Sequence, residues 1–354
     1  MINFAFDNPA GRVVFGPGAA ETLESELSRI GRSRALVVST ARGLASAPPL
    51  SPSMVAASFT GSVAQVPGDV ADDAATLANS AEADCIVAIG GGSAIGVAKA
   101  VALKSGLPIV AVPTTYGGSE MTPIWGITRG GTKETGRDAS VRPVTVIYDP
   151  DLTLDLPLNI TVCSGFNALA HAVEALYAPD ANPMSTGAAM QAVFLLTDSL
   201  PRLAHSPRDR VSRATALEGA WLAGFALGTV QMGIQHKLAH TLGGSFGLPH
   251  AETHAVLLPY TAAFNRAAAE VPLSALAGSL DAGDAPTALR ELAEQIGAPL
   301  SLAAIGFSES DIPAAVKLAV EKQYPNPRLV TEEGVKELLE AAFRGDSSYV
   351  APSD

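Results

Sequence analysis

The 354 residues carry 23 basic and 35 acidic side chains, a net charge of -12, and are 47% hydrophobic, 16% charged and 5% aromatic. This balance excludes a disordered chain, and 33 glycines without a Gly-X-Y period exclude collagen. No Lys/Arg run exists to displace counterions, which excludes nucleic acid as the main partner. At ~150 residues per domain the length predicts two domains.

Cys85 and Cys163 both lie in apolar surroundings and make no disulfide framework, so a reducing cytoplasm is expected. The start, MINFAFDNPAGRVVFG, has no basic region before an apolar core, so no signal peptide is expected. No apolar stretch reaches ~18 residues without a charge or a Gly/Pro break, so no membrane span is expected.

In chain order, Arg34 to Thr40, Cys85 to Ile89, Leu107 to Val112 and Val144 to Tyr148 read as buried strands. Ala19 to Ile30, Val70 to Ala81 and Ser93 to Lys104 read as the helices between them. Apolar strands alternating with helices predict a parallel sheet covered on both faces. The segment Ser46 to Val66 is weakly patterned and reads as a short βα unit. After Asp149-Pro150-Asp151 the chain becomes Ala/Leu-rich and helical in spacing, punctuated by Pro201, Pro207, Pro272, Pro286 and Pro299. The expected architecture is an α/β domain over 1–154 and an all-helical domain over 155–354, with the boundary near Leu152 to Leu158.

Three constellations carry chemistry. The first is Ile89-Gly90-Gly91-Gly92-Ser93-Ala94-Ile95-Gly96, which follows a strand and opens a helix. Its glycines allow close backbone approach, and the helix amides with the Ser93 hydroxyl can hold a phosphate. The alternative is a tight turn with no ligand. The Gly90-x-Gly92-x-x-x-Gly96 spacing is not the dinucleotide fingerprint, and no acid follows ~20 residues on. A second turn, Pro113-Thr114-Thr115-Tyr116-Gly117-Gly118-Ser119-Glu120, adds two hydroxyls, so the pair together predicts a pyrophosphate cradle.

The second constellation is histidine. His236 and His240 lie four residues apart, as do His250 and His254 and the pair Asn167 and His171, so each pair shares a helical face. His205 has no such partner. So many buried imidazoles would be costly without a ligand, and the three pairs are expected to converge on a wet cavity, a metal or a substrate. The third is the basic set Arg129, Lys133, Arg137 and Arg142, which with Glu134 and Asp138 nearby reads mostly as a solvated loop. Lys237, between the paired histidines, points about 100° away from His236.

Together these residues resemble the group III, iron-dependent alcohol dehydrogenases. The resemblance covers nearly the whole chain: Val14-Phe15-Gly16, GGGSAIGVAKA (90–100), PTTYGGSE (113–120), Asp149-Pro150, GFNALAHAVEA (165–175), HKLAHTLGGSFGLPHAETHAVLLP (236–259) and NPR (326–328). Thr115 to Ile127 and the HKLxHTLGG and LPHAETH segments are similar to a branch that reduces the C=C bond of a small dicarboxylate enone in aromatic-compound degradation. The resemblance implies a dehydroquinate synthase-like fold with the active site in the cleft between the domains. It implies NADH or NADPH on Gly91, Gly92, Ser93, Thr114 and Thr115, with Thr40 and Lys133 completing the cofactor set. It carries the family's four metal-ligand positions onto Asn167, His171, His236 and His250, with His240 beside them.

Two departures bear on mechanism. Asn167 stands where the family has an Asp, so a divalent ion loses a compensating charge, although three histidines could still hold Zn²⁺. Thr40 stands where many relatives have an acid that repels a 2′-phosphate, and with Arg42 close by NADPH should be tolerated as well as NADH. The expected enzyme therefore needs no obligatory metal. His240 and His236 are its candidate catalytic groups, and Asn167, His171, His250 and Lys237 hold the substrate. The alternatives are a metal-dependent alcohol dehydrogenase, a dehydroquinate synthase-type cyclase and a nucleotide sensor. A homodimer is expected, with Ile2 to Phe6 and Arg12 to Phe15 able to pair across chains.

Overall fold

The computed structural model describes residues 4, 6, 11–45, 48, 50–63, 65–130 and 132–349. They form an α/β unit of Asn8–Leu156 and Arg208–Leu217, and a helical unit built on Pro157–Pro207 and Glu218–Asp354. The first unit ends within the Leu152 to Leu158 stretch, and it also takes in a short later segment.

The α/β unit runs β1 (Arg12–Phe15), α1 (Leu23–Arg29), β2 (Ala35–Val38), α2 (Ala41–Ala45), β3 (Val55–Phe59), α3 (Gly68–Ser80), β4 (Cys85–Gly90) and α4 (Gly92–Ser105). It continues through β5 (Ile109–Pro113), β6 (Ile124–Arg129), β7 (Thr132–Arg137) and β8 (Thr145–Tyr148). One parallel sheet has the order β1-β8-β5-β4-β2-β3. Its inner strands β2, β4, β5 and β8 are buried along their whole length, which is why they read as unbroken apolar runs. Val37, Val87, Ile89, Val110, Val112 and Ile147 pack with Leu23 and Leu27 on one face. From β2 the chain moves to β3 on one side, and from β4 it moves to β5 on the other. The order therefore reverses between the carboxyl ends of β2 and β4, where open α/β sheets bind their ligands.

Arg12 to Phe15 pairs parallel to β8 and forms an edge of the sheet, while Ile2 to Phe6 falls largely outside the described residues. One reading is corrected. The basic segment is an antiparallel hairpin, β6 with β7, rather than a loop. Gly130 takes φ +56° at its turn, and the Gly130-Gly131 dipeptide was the signal for it. The weak segment Ser46 to Val66 does hold a strand, β3, at the sheet's far edge, while 46, 47, 49 and 64 lie outside the described residues.

A buried lysine organises the loop after β5. Lys99 on α4 is 1% exposed, and its Nζ donates to Ser119 O (2.7 Å), Thr122 O (2.9 Å), Thr122 Oγ1 (3.0 Å) and Ile124 O (2.8 Å). Burial pushes this amine down to about 7, while the charge of nearby Glu120 opposes the shift. Glu120 is itself buried and accepts a hydrogen bond from Tyr148 Oη at 2.8 Å. On the loop's other side, the buried Arg213 donates to Tyr116 Oη (3.0 Å) and to Leu156 O (3.2 Å). This anchoring explains why Arg208–Leu217 belongs with the sheet.

The helical unit contains α5 (Leu158–Leu176), α6 (Pro183–His205), most of α7 (Arg210–Gly228), α8 (Ile234–Phe246), α9 (His250–Asn265), α10 (Glu270–Ser279), α11 (Ala285–Ile296), α12 (Ile312–Val320) and α13 (Glu332–Arg344). Helix α5 is buried from Thr161 to Leu176, so it reads apolar all round. Its Gly165 lets α6 come close: a Cβ there would lie 2.4 Å from Leu200 Cδ2. Among the described residues no helix is long and apolar enough to cross a membrane. Cys85 and Cys163 are buried and unbridged.

Lys99→Met should destabilise the protein by about 3–5 kcal/mol, because it strands Glu120 and several backbone carbonyls without a cation. A urea titration checks this, and a midpoint within error of wild type would show that the lysine holds nothing.

Candidate active site

In the α/β unit, the two glycine/hydroxyl turns lie side by side. Thr114 N donates to Gly90 O at 3.1 Å, and a Cβ on Gly91 would lie 2.9 Å from the Thr115 side chain. Only glycine fits at that crossing. Gly92, the first residue of α4, is exposed, and among the described residues a Cβ there would meet nothing within 4 Å beyond its chain neighbours and its own helix. The first amides of any helix have no intrahelical partner, and the Ser93 hydroxyl stands with them. These residues fit a pyrophosphate: a bare helix N-terminus beside open space, at the sheet's reversal point.

At the end of β2, the Thr40 Oγ1 accepts from Gly43 N at 3.0 Å and so caps α2. The side chain of Arg42 lies outside what is described. Lys133 on β7 donates to Gln65 Oε1 at 3.0 Å, and burial pushes its amine down to about 8. The adjoining Val66 packs on the first turn of α4, where a Cβ on Gly96 would lie 2.5 Å from Val66 Cγ2. Arg129 is tied to Asp72 by two bonds of 2.9 and 3.1 Å at the surface.

In the helical unit, the histidines converge. His171 from α5, His236 and His240 from α8, and His250 and His254 from α9 form one continuous ring cluster. Centroid separations are 5.0 Å for His171–His236, 4.8 Å for His236–His254, 4.7 Å for His250–His254, and 5.9 Å for His236–His240 and His240–His250. The cluster has two layers. His171, His236 and His254 are buried, with Asn167 beside them on the His171 face of α5, whereas His240 and His250 are partly exposed. Burial, reinforced by the neighbouring rings, pushes His171 and His254 well below the ordinary imidazole range, so both are neutral near pH 7. Lys237 is half-buried on α8, and the charges that act on it are those of Glu321 and Lys322.

Sequence reading passed over Glu174, although it lies three residues beyond His171 on the same face of α5. The carboxylate is 1% exposed. Its Oε1 accepts from Gln235 N at 2.9 Å, and its Oε2 accepts from His236 Nδ1. Helix α8 starts at Gly233 without a side-chain cap of its own, so its first amides are met from elsewhere. Ile234 N goes to Asn326 Oδ1 at 3.3 Å, and Gln235 N goes to Glu174. A carboxylate at a helix N-terminus is also favoured by the helix dipole. The same carboxylate accepts from Nδ1–H of His236, so Nε2 is the nitrogen of that ring on the side away from Glu174.

A metal ion would have to be held by Asn167, His171, His236 and His250. These donors are three imidazoles and a carboxamide, all neutral, and the nearby carboxylate of Glu174 is committed to α8. Among the described residues no three His, Cys, Asp or Glu side chains are arranged to hold a metal. The set does not fit a divalent iron ion.

The sequence matches the Iron-containing alcohol dehydrogenase family over residues 10–150 and the C-terminal domain of the Fe-containing alcohol dehydrogenase family over residues 161–343. The chain belongs to the iron-containing alcohol dehydrogenase family. It is an oxidoreductase. A maleylacetate reductase from Pseudomonas knackmussii is 49% identical over 348 residues, covering 97% of this chain and 99% of the relative. The crystal structure of maleylacetate reductase from a Rhizobium species superposes with a TM-score of 0.90 at 43% identity, over 99% of this chain and 100% of that one. A protein described as a putative alcohol dehydrogenase from Ralstonia eutropha gives 0.94 at 44% identity, over 99% and 100%. For a member of this family, the neutral set around Asn167 is the notable departure.

Glu174→Ala should cost about 3 kcal/mol, since it unpairs a helix-terminal amide and a buried imidazole N–H at once. Equilibrium unfolding reads this directly, and a loss below about 1 kcal/mol would mean that the carboxylate caps nothing.

Proposed function

We propose that this protein is a maleylacetate reductase, reducing the C=C bond of its dicarboxylate enone substrate to give 3-oxoadipate with NADH or NADPH. We place it in the cytoplasm as a homodimer. The reading rests on one observation: a five-histidine cluster with an amide, Asn167, in place of a carboxylate, in a chain 49% identical to a maleylacetate reductase. The α/β unit holds the nucleotide pyrophosphate on Gly91, Gly92, Ser93, Thr114 and Thr115, with Thr40 and Lys133 at its margins. Thr40 brings no negative charge, so a 2′-phosphate is tolerated there.

When bound, the reduced nicotinamide supplies the hydride that adds to the C=C bond. Negative charge then spreads over carbon and the carbonyl oxygen. N–H donors fixed in place stabilise such an enolate without the concentrated charge of a dication. His240 is the ring best placed to meet substrate, since it is partly exposed and contacts His236 behind it. His236 is backed by Glu174, a carboxylate–imidazole pair able to hold the proton that completes the product. Asn167, His171, His250 and Lys237 hold the carboxylates and carbonyl. An Asp at 167 would repel a dianionic substrate, which gives the amide a physical reason.

In the assay, NADH oxidation with maleylacetate should proceed at full rate after EDTA treatment. His240→Ala lowers kcat by roughly 10²–10⁴ with NADH binding little changed. A rate lost on chelation and restored by Fe²⁺ or Zn²⁺ would return the protein to the metal-dependent alcohol dehydrogenases.

Gly92→Val tests the nucleotide turn separately. Because among the described residues nothing lies within 4 Å of the added Cβ beyond its chain neighbours and its own helix, folding should be unaffected while the NADH KM rises at least about tenfold through collision with the pyrophosphate. An unchanged KM in a normally folded variant would remove the nucleotide from this turn.

A further inference from the structure

His254 is wholly buried, and the proposed chemistry leaves it without a role. Its surroundings fix its hydrogen. Gln235 Nε2 lies 3.2 Å from His254 O and 3.0 Å from His254 Nδ1. A backbone carbonyl only accepts, so the Gln235 atom facing it is the amide nitrogen. At the other end of the amide, Gln235 Oε1 faces Thr261 Oγ1 at 2.5 Å, whose hydroxyl also lies 3.2 Å from Leu258 O. The second amide hydrogen therefore goes to Nδ1, which must carry a lone pair. The ring hydrogen then sits on Nε2, which has no hydrogen-bond partner and is closed to solvent.

The neighbouring His236 is fixed the opposite way. Its Nδ1–H is committed to Glu174, so in the neutral ring its Nε2, closed to solvent and without a partner among the described residues, carries the lone pair. The two rings lie 4.8 Å apart at 61°. One ring of the buried layer thus presents a hydrogen and the other an acceptor. With its only lone pair occupied by Gln235, His254 cannot take a proton from the cluster without breaking that bond.

We propose that His254 is a positioning residue of the reducing site, locked by Thr261 and Gln235 as a neutral Nε2–H donor. It keeps a hydrogen, not a lone pair, on the buried nitrogen away from Gln235, and so takes no part in carrying the transferred proton, which is left to the other rings. The inference deepens the reading of the cluster as the reducing site and rests on it.

The test begins with ¹⁵N NMR of the histidine ring nitrogens in the intact enzyme without substrate. His254 should show a pyrrole-type Nε2 and a pyridine-type Nδ1, and Gln235→Leu should mix the two forms. A hydrogen on Nδ1, or on both nitrogens, in the wild type overturns the inference. Kinetics then separate positioning from packing, because the side-chain amide of Gln reaches the place of Nε2 and that of Asn reaches only the place of Nδ1. His254→Gln should keep kcat within about threefold of wild type, while His254→Asn and His254→Leu lose about 10–100-fold, the usual range for groups that orient a reacting one. Equal losses in all three would make His254 a packing residue and refute the proposal. A wild type inactive on maleylacetate would count against the substrate reading. Wrong ring signals in an active wild type would count against this inference alone.

Discussion

The helical unit is organised around one buried carboxylate. Glu174 accepts from the second residue of α8 and from the ring of the third, so α5 and α8 are joined at the point where both carry histidines of the cluster. An isolated buried carboxylate would be costly, and two hydrogen bonds with a helix N-terminus are what offset that cost. The arrangement sets more than stability. With Nδ1 of His236 committed, the polarity of the ring follows, and the next ring, His254, is set independently by an uncharged relay through Gln235. Two buried imidazoles of the same chemistry are thereby made different by what stands behind them.

The α/β unit solves the converse problem with a buried cation. Lys99 gathers carbonyls of the loop from Ser119 to Ile124, and Arg213 takes the hydroxyl of Tyr116 on the loop's other flank. Just before the clamped stretch come Thr114 and Thr115, the latter close against Gly91. A phosphate cradle made of backbone needs such support, because glycine supplies room but no rigidity. The two clamps hold the hydroxyls where the open N-terminus of α4 can use them.

Much of this was legible in the sequence. Unbroken apolar strands gave the parallel sheet, and the i,i+4 pairs gave the convergence of the histidines, because both follow from local periodicity alone. What was not legible was each buried charge. Lys99 stands in a run of Ala and Val that reads as plain helix, and Glu174 looks like any acid near a helix end. Their partners lie 20 to 62 residues away, at distances no local pattern encodes. The β6–β7 hairpin was obscured by its polar composition, since strands that bury little lose the alternation that would reveal them. His254 was seen as part of a spacing but not as part of the site, because its meaning depends on Gln235 and Thr261.

The interleaving of the two units has a consequence in time. Residues 208–217 complete the α/β unit, yet they are made after α5 and α6 of the helical unit. A chain emerging from the ribosome cannot finish its α/β unit at Leu156. It must wait until Arg213 has appeared, with some fifty residues of the other unit already outside. Likewise the start of α8 depends on Asn326, ninety-two residues downstream, so the histidine cluster is among the last parts to become rigid. Domains normally fold in the order they are made. Here neither unit can be completed before the other has begun, which ties maturation of the histidine cluster to synthesis of nearly the whole chain.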